Sequence, residues 1–166
     1  MTLDYHAGLY EACRQISPIT PDYANLPIEE GFDWSPRLAG VFFDRLYLVV
    51  FRSVRRPTAD LKRLKEHDDK AYDAALEVGG LLRYFKGEMN ERRECLSFCL
   101  WEGREQAVAA AGGASHQTAA QLTARMYETY TLERYELAKE GMGGLVFRRL
   151  EETPQREGRG VSAARL

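Results

Sequence analysis

The run "RLYLVVFRSV", residues 45–54, restricts this chain more than any other stretch. Its β-branched and aromatic residues favour an extended strand, in which alternate side chains point to opposite faces. Leu46, Leu48 and Val50 then fall on one face, and Tyr47, Val49 and Phe51 on the other. Both faces are apolar, so the sheet built on this strand must be covered on both sides.

Further elements follow along the chain. Thr58 is an expected N-cap for "ADLKRLKEHDDKAYDAALEV", where Leu61, Leu64, Asp68, Ala71, Ala75 and Val78 recur at helical spacing and Gly79-Gly80 supplies the stop. "LLRYFKGEM" and "RECLSFCLWEG" read as two strands of a hairpin turning near Asn90, although no glycine stands at the tip. "REQAVAAA" predicts a helix that Gly112-Gly113 interrupts, with Ser115 as cap of a second piece reaching Leu122 and Met126. "YTLERYEL" predicts a further strand, and "GGLVFRRLE" a short fifth one.

Strand, helix, strand, strand, helix, strand is the order of an α+β, ferredoxin-like βαββαβ fold. Both helices pack on one face of such a sheet, which leaves the opposite apolar face open. A second copy of the chain would close it, so the expectation is a homodimer forming an α/β barrel. Residues 1–31 hold a possible short helix over Leu9, Cys13 and Ile16. Three prolines, Pro18, Pro21 and Pro27, then make the rest an irregular arm. Such an arm could cross a partner subunit or cover an edge strand. The expected division is an arm at 1–31, a ferredoxin-like domain at 32–152 and a flexible tail at 153–166.

Charge narrows the function classes. Lys and Arg number 23 against 25 for Asp and Glu, a formal charge of −2. No overall field draws the chain to nucleic acid or to an anionic membrane. The opening residues lack a signal-peptide pattern and no 18-residue apolar span follows, so a cytoplasmic location is expected. The three cysteines form no CxxC pair, and neither a metal nor another cofactor is expected. In a strand, Cys95 and Cys99 are separated by about 13 Å, beyond the roughly 7 Å limit for a disulfide. A helix would instead bring them onto one face, but the alternation of Leu96, Phe98 and Leu100 favours the strand.

The segment "SFCLWEGREQAVAAAGGASHQTAA" resembles the third strand and second helix of antibiotic-biosynthesis-monooxygenase-like proteins. In that resemblance Trp101 matches a strand-ending tryptophan, Gly103 a small position, and Gln106-Ala107 the helix start. His116 matches the second of two family histidines, while Ala110 and Ala111 stand near the first, which has no counterpart. "CLSFCLWEGREQA" and "YETYTLERYEL" also resemble an uncharacterised branch of the same superfamily. The resemblance implies a dimeric barrel with a small cavity between the sheet and its helices. It also implies a small hydrophobic or aromatic ligand and cofactor-independent oxygenase or cyclase chemistry on aromatic, polyketide-like molecules. A non-catalytic ligand-binding or scaffold protein is the alternative. The haem-degrading relatives resemble a set with an asparagine on the first strand, which "RLYLVVFRSV" lacks.

His116 is the candidate base, since an imidazole titrates near neutrality and can take a proton from a phenol or an activated carbon. A purely structural place in the first turn of its helix is the other reading. His67, Tyr47, Tyr84 and Trp101 are the candidate substrate-binding residues. Two roles fit Trp101: stacking on an aromatic ligand, or core packing. Two also fit His67, whose "EHDD" neighbourhood suits a solvated helix face. Several of the nine tyrosines, including Tyr72, Tyr127, Tyr130 and Tyr135, could turn phenolic hydroxyls toward a polar ligand. Asp68, on the apolar stripe of its helix, needs either a partner such as Arg83 or a place at the exposed helix margin. Arg52, Arg55 and Arg56 resemble an anion patch, but "RSVRRP" is more often a solvated loop.

Overall fold

A computed structural model describes residues 2–112, 122, 125–142 and 144–151; for residues 2–5 it describes the backbone. Strand β1 (Arg45–Arg55) is followed by helix α4 (Leu61–Val78), β2 (Leu81–Phe85), β3 (Glu94–Trp101), α5 (Arg104–Ala111), β4 (Tyr127–Glu140) and β5 (Gly144–Arg149). The strands form one antiparallel sheet in the order β2-β3-β1-β4-β5. Its first four members have the ferredoxin-like arrangement, and β5 extends one edge.

Local chemistry explains the element ends. Helix α4 is capped by Asp60, whose side chain accepts a hydrogen bond from the Arg63 amide at 3.0 Å, rather than by Thr58. It stops where Gly79 and Gly80 take φ of 84° and 78°, a backbone region that side-chain-bearing residues seldom adopt. The β2–β3 turn manages without glycine at its tip because Asn90 Oδ1 accepts from the amides of Arg92 and Glu94, each at 2.9 Å. Arg93 takes the positive φ, 63°. Cys95 and Cys99 lie on β3 as free thiols.

Residues 2–43 supply what the open sheet face needs. They contain helix α1 (Thr2–Arg14), a 3₁₀ turn (Tyr23–Asn25), α2 (Ile28–Gly31) and α3 (Trp34–Leu38). The segment is thus more helical than an irregular arm; it packs on one face of the sheet and reaches both edge strands, α1 against β2 and α3 against β5. Cys13, Ile16, Ile28, Phe32, Trp34 and Leu38 pack on Leu48, Val50, Leu96, Phe98, Leu100 and Leu137 in one buried cluster. Phe32 and Phe98 meet edge to face at 5.2 Å between ring centres, and Trp34 donates its indole N–H to the Ile28 carbonyl at 2.8 Å. The face for which a second copy was expected is therefore buried by the chain itself.

Arg52 fastens this cover. Its Nε donates to Glu133 at 2.7 Å, while Nη1 and Nη2 donate to the carbonyls of Ala24 and Leu26, each at 2.8 Å. Arg52 and Arg55 are strand residues, not part of a solvated loop; Arg56 is exposed. The expected tail, 153–166, lies outside the described residues. No helix of the described residues is long and apolar enough to cross a membrane.

Candidate functional site

The other face of the sheet carries α4 and α5, and between α4 and the sheet lies a cavity of about 110 Å³. Strict alternation on β1 directs Phe51, Ser53 and Arg55 into it, and β3 contributes Cys95, Ser97 and Cys99. Helix α4 lines the opposite wall with Leu64, His67, Asp68, Ala71, Tyr72 and Ala75, residues three or four apart and so on one helix face. Tyr84 enters from β2, Lys86 from the position just after that strand, and Tyr127 and Tyr130 from β4.

A bulge decides which residues β4 contributes. Ser53 pairs with Tyr130 and Val54 with Thr129, but Arg55 then pairs with Tyr127, not Glu128. The shifted register turns Tyr127 into the cavity. Glu128 instead receives a hydrogen bond from Arg93 Nη1 at 3.0 Å. One unpaired residue in the ladder thus exchanges a carboxylate for a phenol opposite Arg55.

The lining is apolar with a sparse set of polar groups. Tyr72 and Tyr84 stack with ring centres 5.4 Å apart, and Tyr127 and Tyr130 meet at 5.2 Å. Burial raises the pKa of Tyr84 and Tyr130 far above the ordinary phenol value; the Asp68 charge adds to the rise at Tyr84, and Tyr127 and Asp68 add to it at Tyr130. Tyr127 is pushed up to about 12, first by burial and then by Asp68, with Arg55 pulling the other way. These three phenols therefore stay protonated and can donate hydrogen bonds at neutral pH. Cys99 is likewise pushed up to about 12 by burial, which leaves it a thiol and a poor nucleophile.

Asp68 pairs with Lys86 Nζ at 3.2 Å, both side chains being 40% exposed. Arg83 is not its partner, because alternation along β2 and just past its end sends Tyr84 and Lys86 to the cavity and Arg83 to the opposite face. There Arg83 donates to the Ile16 carbonyl at 3.3 Å and stacks over Phe85. Arg55 has its Nε buried without a hydrogen-bond partner. Among the described residues no carboxylate forms an ion pair with it.

The residues singled out in the sequence separate into three groups. His67 and Tyr84 are on the cavity wall. Trp101 and Tyr47 are not: they face one another across β1 and β3, 3% and 6% exposed, beneath Ala75, Leu81, Ala107 and Ala110. Of the two roles named for Trp101, core packing is the one observed. The small alanines of α5 let that helix pack directly over the two rings. His116 lies outside the described residues. Arg55, Lys86 and the directed pair Tyr127 and Tyr130 complete the wall; the tyrosines were visible as candidates, but their orientation depends on the bulge.

The architecture is an α+β ferredoxin-like sheet with a cavity under one helical layer and a covering segment on the other face. A family model described as PB2B2.08-like matches residues 2–149, and the chain belongs to that family. Solved structures of antibiotic-biosynthesis-monooxygenase-like proteins resemble it at low identity. A candidate antibiotic biosynthesis monooxygenase from Nitrosomonas europaea is 12% identical with a TM-score of 0.49, the match covering 62% of this chain and 98% of that one. Rv0793 from Mycobacterium tuberculosis is 17% identical with a TM-score of 0.48, covering 58% and 96%. SnoaB, a cofactor-independent oxygenase from Streptomyces nogalater, is 11% identical with a TM-score of 0.44, covering 60% and 96%. No curated protein matches the chain.

Proposed function

We propose that this protein binds a small aromatic molecule in the cavity between α4 and the sheet, and that it acts there as a cofactor-independent oxygenase or cyclase. The observation that carries the reading is the cavity wall itself, where aromatic rings and aliphatic groups surround phenols held in their protonated, donor form. Apolar walls take up an aromatic ring by removing it from water, and the hydroxyls of Tyr84, Tyr127 and Tyr130 can hold a developing phenolate or enolate oxygen. His67 is the imidazole of the described lining. It and His116 are the two candidate bases.

In the oxygenase form, the base takes a proton from an activated CH2 beside a phenolic ring. The resulting carbanion supplies the electrons that reduce O2. One oxygen atom is retained as a carbonyl, the other leaves as water, and the substrate is the only reductant needed.

The test is oxygen uptake by the full chain with a panel of hydroxynaphthalenes and anthrones, compared with His67→Ala and His116→Ala. The reading expects uptake that depends on protein and falls at least ten-fold in one of the two variants. Binding of the panel without uptake would leave a ligand-binding protein, and no binding would remove the cavity reading altogether.

A further inference from the structure

Resting on the cavity reading above, we propose that the natural occupant is a monoanion, an aromatic molecule carrying one carboxylate, and that Arg55 is the group that receives that carboxylate. Three observations meet at this residue. The described lining holds two permanent cations, Arg55 and Lys86, and one carboxylate, Asp68. Lys86 and Asp68 neutralise each other at 3.2 Å, so the charge left over is the single positive charge of Arg55. Secondly, Arg55 keeps a buried Nε with no hydrogen-bond partner. A buried donor without a partner costs stability, and a site that retains one is suited to a ligand that completes it. Thirdly, the β4 bulge removes the acid that a regular ladder would place opposite Arg55, substitutes Tyr127, and leaves Glu128 to Arg93.

The chemistry of the two partners selects the carboxylate. A guanidinium presents Nε and one Nη as a planar fork that matches the two oxygens of a carboxylate, and the Tyr127 hydroxyl beside it can donate a third bond. A phosphate dianion would call for a second free cation, and Lys86 is already engaged with Asp68. The tyrosine-lined remainder of the cavity takes the aromatic body.

The experiment compares charged and neutral probes of the same shape. Calorimetric titration of the full chain with benzoate and 2-naphthoate, and with benzamide and 2-naphthamide, is expected to show at least one acid bound ten-fold or more tightly than its amide. Arg55→Gln should abolish that preference while leaving amide binding within about two-fold, and Arg55→Lys, which keeps the charge but not the fork, should restore only part of it. A crystal soaked in 4-iodobenzoate needs no variant: the iodine should lie among the tyrosines with the carboxylate on Arg55. Equal affinity for acid and amide, an acid preference that persists in Arg55→Gln, or a carboxylate seated away from Arg55 would overturn the inference while the cavity still binds. If neither acid nor amide enters the cavity, the binding reading fails together with it.

Discussion

Arg52 and Glu133 form a 2.7 Å ion pair between β1 and β4, with side chains 21% and 13% exposed. Glu133 also accepts from the Tyr135 hydroxyl at 2.8 Å, while Arg52 reaches on to the Ala24 and Leu26 carbonyls. One guanidinium therefore joins two strands to the covering segment. Arg52→Ala leaves a mostly buried carboxylate and two carbonyls without their donor. The expected cost is about 3 kcal/mol, read as a lower urea midpoint. Exchange protection of the amides in residues 22–31 should fall more than that of β3. Equal loss everywhere would mean that the pair does not specifically hold the cover.

Gly87 tests a close approach. A Cβ added there would lie 1.8 Å from the Leu96 carbonyl oxygen, a backbone atom that no rotamer change can move. The Gly87 amide also donates to Ser97 Oγ at 3.2 Å, and its carbonyl accepts from the Cys95 thiol at 3.2 Å. Gly87→Ala should force β2 and β3 apart at this end and cost about 3 kcal/mol in chemical denaturation. Gly40→Ala, where a Cβ meets open space, is the control and should unfold close to the parent.

Thiol reactivity should report folding. Burial pushes Cys13 and Cys99 up to about 12 and raises Cys95 as well. Thiolate is the reactive form, so the native chain at about pH 8 should react slowly with a disulfide reagent. Three equivalents should appear quickly in denaturant, one for each cysteine. Fast native reaction at Cys95 or Cys99, located by peptide mapping, would show that the cavity face opens readily, since both line it; fast reaction at Cys13 would report on the covering segment instead.

Acid should loosen the covering segment at its hairpin end. Hydrogen bonds from Asn90, Asn25 and Arg92 hold the Glu94 carboxyl below its ordinary value of 4.5. A carboxyl depressed in the folded state contributes its full stabilisation above the unfolded value and loses it as pH falls through the lowered folded value. The urea midpoint should therefore decline as the solution is taken below 4.5, and Glu94→Gln should flatten that decline. An unchanged slope in the variant would assign the acid sensitivity to other carboxylates.

Much of the fold was legible because its signals are local. Residues 45–54 announce a strand apolar on both faces, and the spacing of Leu64, Ala71 and Ala75 with Gly79-Gly80 fixes α4. The demand for a cover on the second face was equally readable, but not what would meet it. Pro18, Pro21 and Pro27 argue only against regular structure, while the contacts of Arg52 with Ala24 and Leu26 join residues 28 and 26 positions apart. The site divided in the same way. His67 and Tyr84 were candidates by residue type and both lie on the cavity wall, whereas Tyr127 faces the cavity through one unpaired residue in β4 that no local pattern marks. Trp101 was ambiguous because a strand-ending aromatic serves pocket and core alike, and the alanines of α5 close over it.

The covering segment runs into β1 through residues 39–44 alone, between the end of α3 and Arg45. A surface closed by a separate molecule is bared on dilution, with an occupancy set by concentration and affinity. Here the closing layer is tethered, and its effective concentration is a property of a short connection rather than of the solution. This layer cannot be diluted away from the sheet, and it can leave only by local unfolding of the same chain.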